Sequence, residues 1–147
     1  MPEITAENLA ELATQALERT AFMLVDPSED ADPGQLTRHA SISYTGDEGA
    51  GELYVSASEG FTLELASSLL GCEPDEIDVE EQGVDAVREL ANILAGSVLT
   101  SIGGQEHAFR MGLPETVESH TNEDGCVSCA MDSMGEPLVI SWRAKAA

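Results

Sequence analysis

Apolar side chains follow two different periods along the chain. From residue 4 to about 24, Leu9, Leu12, Ala13, Ala16 and Leu17 recur at helical spacing, which predicts an amphipathic helix with Thr5 as its N-cap. Asp26 to Gly34 holds two prolines and a glycine and reads as a loop. Leu36, Ala40, Ile42 and Tyr44 then share one parity, with polar Arg38 the exception. After a Gly46-Asp-Glu-Gly49 turn, Leu53, Val55 and Ala57 alternate again, so the segment predicts a β-hairpin. A second helix is expected over Gly60–Leu70, with Ser58 as cap, Gly71 as stop, and Phe61, Leu65, Ala66, Leu69 and Leu70 facing inward. The longest helix runs from Gly83 to about Ile102 and closes at Gly103-Gly104. Strands are expected at Ala108–Leu113, Gly125–Asp132 and Pro137–Arg143, the last two separated by a Ser133-Met-Gly-Glu136 turn.

These elements fit one domain over residues 1–147, long enough to bury a real core. An internal echo suggests two related halves, about 1–72 and 78–147. Glu11-Leu-Ala-Thr14 and Glu89-Leu-Ala-Asn92 match in three of four letters at an offset of 78, and each lies in a helix followed by strands.

Charge changes the picture of partners. There are 28 Asp and Glu against 6 Lys and Arg, a net charge of −22. Such a surface repels phosphate backbones and anionic lipid headgroups, so neither nucleic acid nor a membrane surface is expected as partner. The scarcity of lysine, with Lys145 the sole example, is compatible with a high-salt host. Six acids in the nine residues Glu73–Glu81 read as a solvated linker that also places negative charge before the next helix N-terminus. The first 20 residues show no basic n-region or apolar h-region, and Ala21–Val25 is too short to span a bilayer. A cytoplasmic location with reduced thiols is the expectation.

The long helix carries the most informative arrangement. With Asp85 at zero on a wheel of about 100° per residue, Glu89 falls near 40°, Asn92 near −20° and Gly96 near 20°. Val87, Leu90, Leu94 and Val98 cluster at about 140–220° on the opposite side. An acid, an amide and a glycine gap therefore share one stripe that is exposed or lines a groove. Mid-helix glycine costs about 1 kcal/mol relative to alanine, so close approach of another backbone or a partner is the expected reason for Gly96.

Asp85-x3-Glu89-x2-Asn92 followed by Gly96 resembles the active-site helix of the CheC/CheX chemotaxis phosphatases. Gly112-Leu-Pro-Glu-Thr-Val117 resembles the strand-and-proline segment that follows it in that family. The resemblance implies an α+β fold, pseudo-duplicated, with an antiparallel sheet and two long helices packed on it. It also implies hydrolysis of the aspartyl phosphate of a CheY-like response regulator, in chemotaxis or another two-component pathway. Asn92 would position the attacking water, Glu89 would pair with the receiver's lysine, and Asp85 and Gly96 would serve docking. No cofactor or metal of the chain's own is implied, Mg2+ being supplied by the phosphorylated receiver. Thr14 stands where the first half would need Asn, so a single CheX-like site is expected, presented twice by a homodimer. The rival is a non-catalytic module that binds a receiver on the same fold, as in flagellar switch components. Such a module has no need of the Glu89 and Asn92 pair.

Other signals point less far. Cys126-Val-Ser-Cys129 could serve redox or zinc chemistry with Cys72, His107 or His120, but positions i and i+3 of a strand face opposite sides. Buried structural thiols are expected instead. His39, His107 and His120 lack a Ser or Cys partner at motif spacing, and Gly103-Gly104 has no phosphate-loop sequel. The five methionines are expected to fill core, and Trp142 to lie in core or an interface.

Overall fold

A computed structural model of the chain describes residues 4–28, 32–46, 49–103, 109–118 and 126–145. Helix α1 (Ala6–Ala21) is followed by strands β1 (Asp26–Ser28), β2 (Leu36–Gly46) and β3 (Gly49–Ser58), then helix α2 (Glu59–Leu70). Helix α3 (Val84–Gly103) leads to β4 (Phe109–Met111), β5 (Glu115–Val117), β6 (Cys126–Ser133) and β7 (Glu136–Lys145). The local signals for the helices hold. Thr5 caps α1 by accepting from the Asn8 amide at 3.1 Å, and Ser58 caps α2 by accepting from the Phe61 amide at 3.0 Å. Gly71 closes α2 in the left-handed conformation, at φ 71°.

All strand pairs are antiparallel, in the order β1-β6-β7-β3-β2-β4, with β5 also on the outer edge of β2. Exchanging β1 with β4, β2 with β6 and β3 with β7 gives the same order read from the opposite edge. Helix α1 packs on β6 and α3 on β2, so each long helix covers a strand from the other end of the chain.

One face of the sheet is apolar because period-two alternation sends Ala40, Ile42, Tyr44, Leu53, Val55, Ala57, Leu138, Ile140 and Trp142 to the same side, all buried. Helix α1 adds Leu9, Ala13, Ala16 and Leu17, and α3 adds Val87, Leu90, Ala91, Leu94 and Val98. Trp142 lies in the core, stacked on Tyr44 with ring centroids 4.6 Å apart, and Phe109 meets Tyr44 edge-on at 6.0 Å. The α+β class and the antiparallel sheet agree with the sequence pattern.

The differences have local causes. Arg38 keeps the parity of Ala40, since the register to β3 is continuous from Arg38 to Gly46, and its charge is met by Glu80 and Glu59. The bulge between Leu36 and Arg38 displaces Leu36 instead. The loop expected from Asp26 begins as a short edge strand, where Pro27 is tolerated, and β5 forms beyond Pro114. Leu70 was expected inward, but α2 ends there and its side chain is 54% exposed. Met23 and Met131 fill core as expected, whereas Met111 and Met134 are exposed. Asp47 and Glu48 of the hairpin turn, Gly104, Ala108, His107 and His120 lie outside the described residues.

His39 illustrates what the interior of the sheet does to a titratable group. Its Nδ1 lies 2.8 Å from Ser56 Oγ across the β2–β3 pair. Burial lowers its pKa from the ordinary 6.5, opposed by a backbone hydrogen bond with Leu36. On acidification the unfolded chain therefore takes up this proton first. Stability is expected to decline as the pH falls from about 6.5 through the folded value, and His39→Gln to flatten that decline. Urea unfolding between pH 7.5 and 5.5 measures both slopes.

Candidate functional site

The site is assembled before α3 begins. The acidic run is structured: Pro74–Glu76 makes a single 3₁₀ turn, and Val79–Gly83 makes one wide π-type turn into α3. The Asp78 side chain accepts from the Glu80 amide at 3.1 Å, and its carbonyl accepts from the Gln82 and Gly83 amides. Gly83 lets the helix start against α2, since a Cβ there would stand 2.9 Å from Thr62 Cγ2. Arg38, reaching from β2, holds Glu80 at 2.5 Å and approaches Glu59 at 3.9 Å. That guanidinium, by hydrogen bond and charge, lowers the Glu80 pKa. The linker is thus tied to the sheet and to α2 rather than merely solvated.

From this anchor α3 runs with its apolar side down. Val87, Leu90, Leu94 and Val98 are buried, and the opposite stripe is open: Asp85 and Glu89 are exposed, while Asn92 and Gly96 are half-buried. Residues three or four apart on a helix have Cβ atoms about 5–6 Å apart, so the Glu89 carboxylate and Asn92 carboxamide can address one docked group. Neither side chain has a hydrogen bond or ion pair among the described residues. Asp85 differs, because Arg88 pairs with it one turn along the helix. Sequence reasoning passed over Arg88, although its i+3 spacing from Asp85 was the available signal.

Gly96 separates two explanations. A glycine packed against a neighbouring strand would have something near its missing side chain, but a Cβ here meets nothing within 4 Å. The described residues therefore give the helix no need for this interior glycine. Gly96→Ala is expected to stabilise the fold by about 0.5–1 kcal/mol. Thermal unfolding checks this, and a loss of stability would show that the space is filled.

The matching face of α1 is different. Glu11 is exposed, but Thr14, at the position of Asn92, donates its hydroxyl to the Ala10 carbonyl at 2.8 Å. It is engaged with its own helix and presents no free amide.

Beside the stripe lies a hollow of about 240 Å³ lined by Leu69, Leu70, Gln82, Asp85, Ala86 and Glu89. The two cysteines of the CxxC take opposite sides of β6, as strand parity requires. Cys126 stands opposite Arg143 and Cys129 opposite Ile140. Burial pushes the Cys129 thiol up to about 11, which keeps it protonated near neutral pH. All three cysteines are free, and the described residues bring no three of His, Cys, Asp and Glu together as metal ligands. No helix among the described residues is long and apolar enough to cross a membrane.

A single antiparallel sheet carrying its helices on the apolar face is the α+β architecture of the CheC/CheX-like proteins. The chain belongs to the family described as Chemotaxis phosphatase CheX, whose model matches residues 39–132, more than half its length. The fold is shared with a chemotaxis protein CheX from Vibrio vulnificus at TM-score 0.76 and 19% identity, over 93% of this chain and 96% of that one. A CheC-like superfamily protein from Shewanella sp. PV-4 gives TM-score 0.76 and 20% identity, over 99% and 100% of the two chains. A chain of the CheX–CheY–BeF3–Mg2+ complex from Borrelia burgdorferi gives 0.71 and 17%, over 97% and 98%. No curated protein matches the chain by sequence at a significant level.

Proposed function

We propose that this protein hydrolyses the aspartyl phosphate of a CheY-like response regulator, with α3 laid against the receiver's phosphorylation site. The observation that carries the reading is that Glu89 and Asn92, without partners among the described residues, lie on the open side of a helix whose Gly96 leaves room for a second protein. A non-catalytic module on this fold has no use for that pair. The relative from Borrelia burgdorferi in a complex with CheY, BeF3 and Mg2+ supports the choice of partner.

The chemistry asks little of this chain. An acyl phosphate is already labile, so the catalyst must place a water in line with the phosphorus and steady the docked geometry. The Asn92 carboxamide can accept from the water and donate beside it without changing charge. Water oxygen bonds to phosphorus as the bond to the aspartyl oxygen breaks, the carboxylate leaves with that electron pair, and the water's proton passes to solvent. Glu89 would pair with a receiver lysine and set the helix in register. Asp85, held by Arg88, would serve the edge of the contact. Mg2+ is expected to arrive with the receiver, so this chain supplies no cofactor. The assembly is taken to be a homodimer presenting two such faces, which sedimentation equilibrium checks.

The test is to mix the protein with the host's phosphorylated receivers and time the loss of phosphate. Acceleration of at least one receiver is expected, and none would overturn the reading. A bulky side chain at the gap should spare the fold and impair function. Gly96→Leu is expected to keep the unfolding temperature and to weaken receiver binding, as read by titration.

A further inference from the structure

We propose that the hollow beside Glu89 receives an apolar side chain of the receiver domain, one flanked in that partner by a basic residue. The proposal rests on the receiver-phosphatase reading and specifies how the partner is selected.

The floor is apolar and set by the core: Ala86 is 6% exposed, and Leu69 packs against the buried cluster. Leu70, the last residue of α2, stands at its wall with 54% of its surface exposed. Gly71 turns the chain away in the left-handed conformation, and no described residue lies within 4 Å of where its Cβ would be. The other rim is acidic, formed by Asp85 and Glu89. Arg88 partly offsets Asp85, which leaves Glu89 as the unpaired charge.

Three considerations choose the occupant. At about 240 Å³ the hollow is smaller than the roughly 300–1,000 Å³ that holds whole small-molecule ligands, which suits one inserted side chain. An acid rim calls for a cation beside that side chain, and a second copy of a chain carrying −22 would bring the wrong sign. Glu89 belongs to both the hollow and the catalytic stripe, so whatever docks against α3 passes over Leu70. An exposed leucine next to a reactive stripe then has a purpose: it holds the receiver while Asn92 acts.

The experiment separates binding from chemistry. Host receiver domains phosphorylated with acetyl phosphate are titrated with the full chain carrying Asn92→Ala, alone and combined with Leu70→Ser or Leu70→Lys. Phosphate loss is timed with the two Leu70 variants in the otherwise unchanged protein. Leu70→Ser is expected to weaken binding about tenfold, because half of a leucine's burial is lost. Leu70→Lys, which also repels the basic flank, should weaken it further. The turnover KM should rise in parallel while kcat stays within about twofold. Leu113→Ser, also at an exposed leucine (86%) but beside β5, is expected to bind like the parent and serves as the control. Unfolding temperatures of the variants confirm that each is folded, and either Leu70 variant suffices. Unchanged affinity, or a fall in kcat with unchanged affinity, would overturn the proposal. Binding that depends on Leu70 without any acceleration of phosphate loss would support the docking pocket and overturn the phosphatase reading. A chain that binds no phosphorylated receiver overturns both.

Discussion

Asn92→Ala is expected to bind a phosphorylated receiver normally while returning its phosphate lifetime close to the intrinsic value. The side chain is half-buried on α3 and has no partner among the described residues, so its removal leaves no buried group unpaired. Helix propensity favours alanine, and Leu90 and Leu94 hold α3 on the sheet whatever stands at position 92. Binding should therefore survive. What is lost is the group that orients the attacking water, and loss of one positioned polar group of this kind costs about 10²–10³ in rate. Single-turnover decay of the phosphorylated receiver, alongside a binding titration, reads both quantities. Decay as fast as with the parent protein would remove Asn92 from the chemistry. Asn92→Asp is the sharper comparison. It keeps the size but replaces the donor with a charge facing a phosphoryl group, and it too should be slow.

The largest expected effect on stability belongs to Trp142→Ala. Trp142 sits on β7, next to β3 at the centre of the sheet, 3% exposed, with its ring stacked on Tyr44 at an interplanar angle of 9°. Truncation removes the largest side chain of that row and leaves a cavity between strands that cannot collapse without shifting the helices above them. The expected cost is about 3–5 kcal/mol, against a total stability of about 5–15 kcal/mol for a domain of ordinary size. Urea unfolding gives the difference, and a loss below about 1 kcal/mol would mean that the stacked pair contributes little. Trp142→Phe, which keeps a ring on Tyr44, should recover a large part of the loss.

Much of this architecture was legible residue by residue. Thr5, Ser58 and Gly71 mark helix ends because capping is local, and each acts within four residues of itself. The inward set on β2, β3 and β7 follows from alternation alone. The stripe on α3 could be drawn from a helical wheel, and its buried and open sides agree with that drawing. Harder cases are those in which a distant partner decides. A three-residue strand containing Pro27 has no alternation to read, and it exists because β6 offers an edge. The acidic run looked like solvated linker because its tether, Arg38, lies 42 positions from Glu80 in the chain. Arg38 itself looked like an error in a strand pattern, yet it shares the face of Ala40 and is met by Glu80 and Glu59, both distant in the chain.

The candidate site divides in the same way. The sequence by itself determined that Asp85, Glu89, Asn92 and Gly96 share one side of a helix, since periodicity binds neighbours in the chain. It also determined the family resemblance, and the charge of −22 that bears on partners. Only the tertiary structure decided that no described residue fills the space over Gly96, that Thr14 is spent on its own helix, and that Leu70 stands exposed beside Glu89. The last of these reverses a reading of the pattern, which turned Leu70 inward with its neighbours. The reason is geometric. Periodicity tells which way a side chain points from its own element, whereas emptiness and exposure depend on where the other elements end. Leu70 is the last residue of helix α2, exposed where the chain turns away at Gly71, and the hollow opens there next to the stripe.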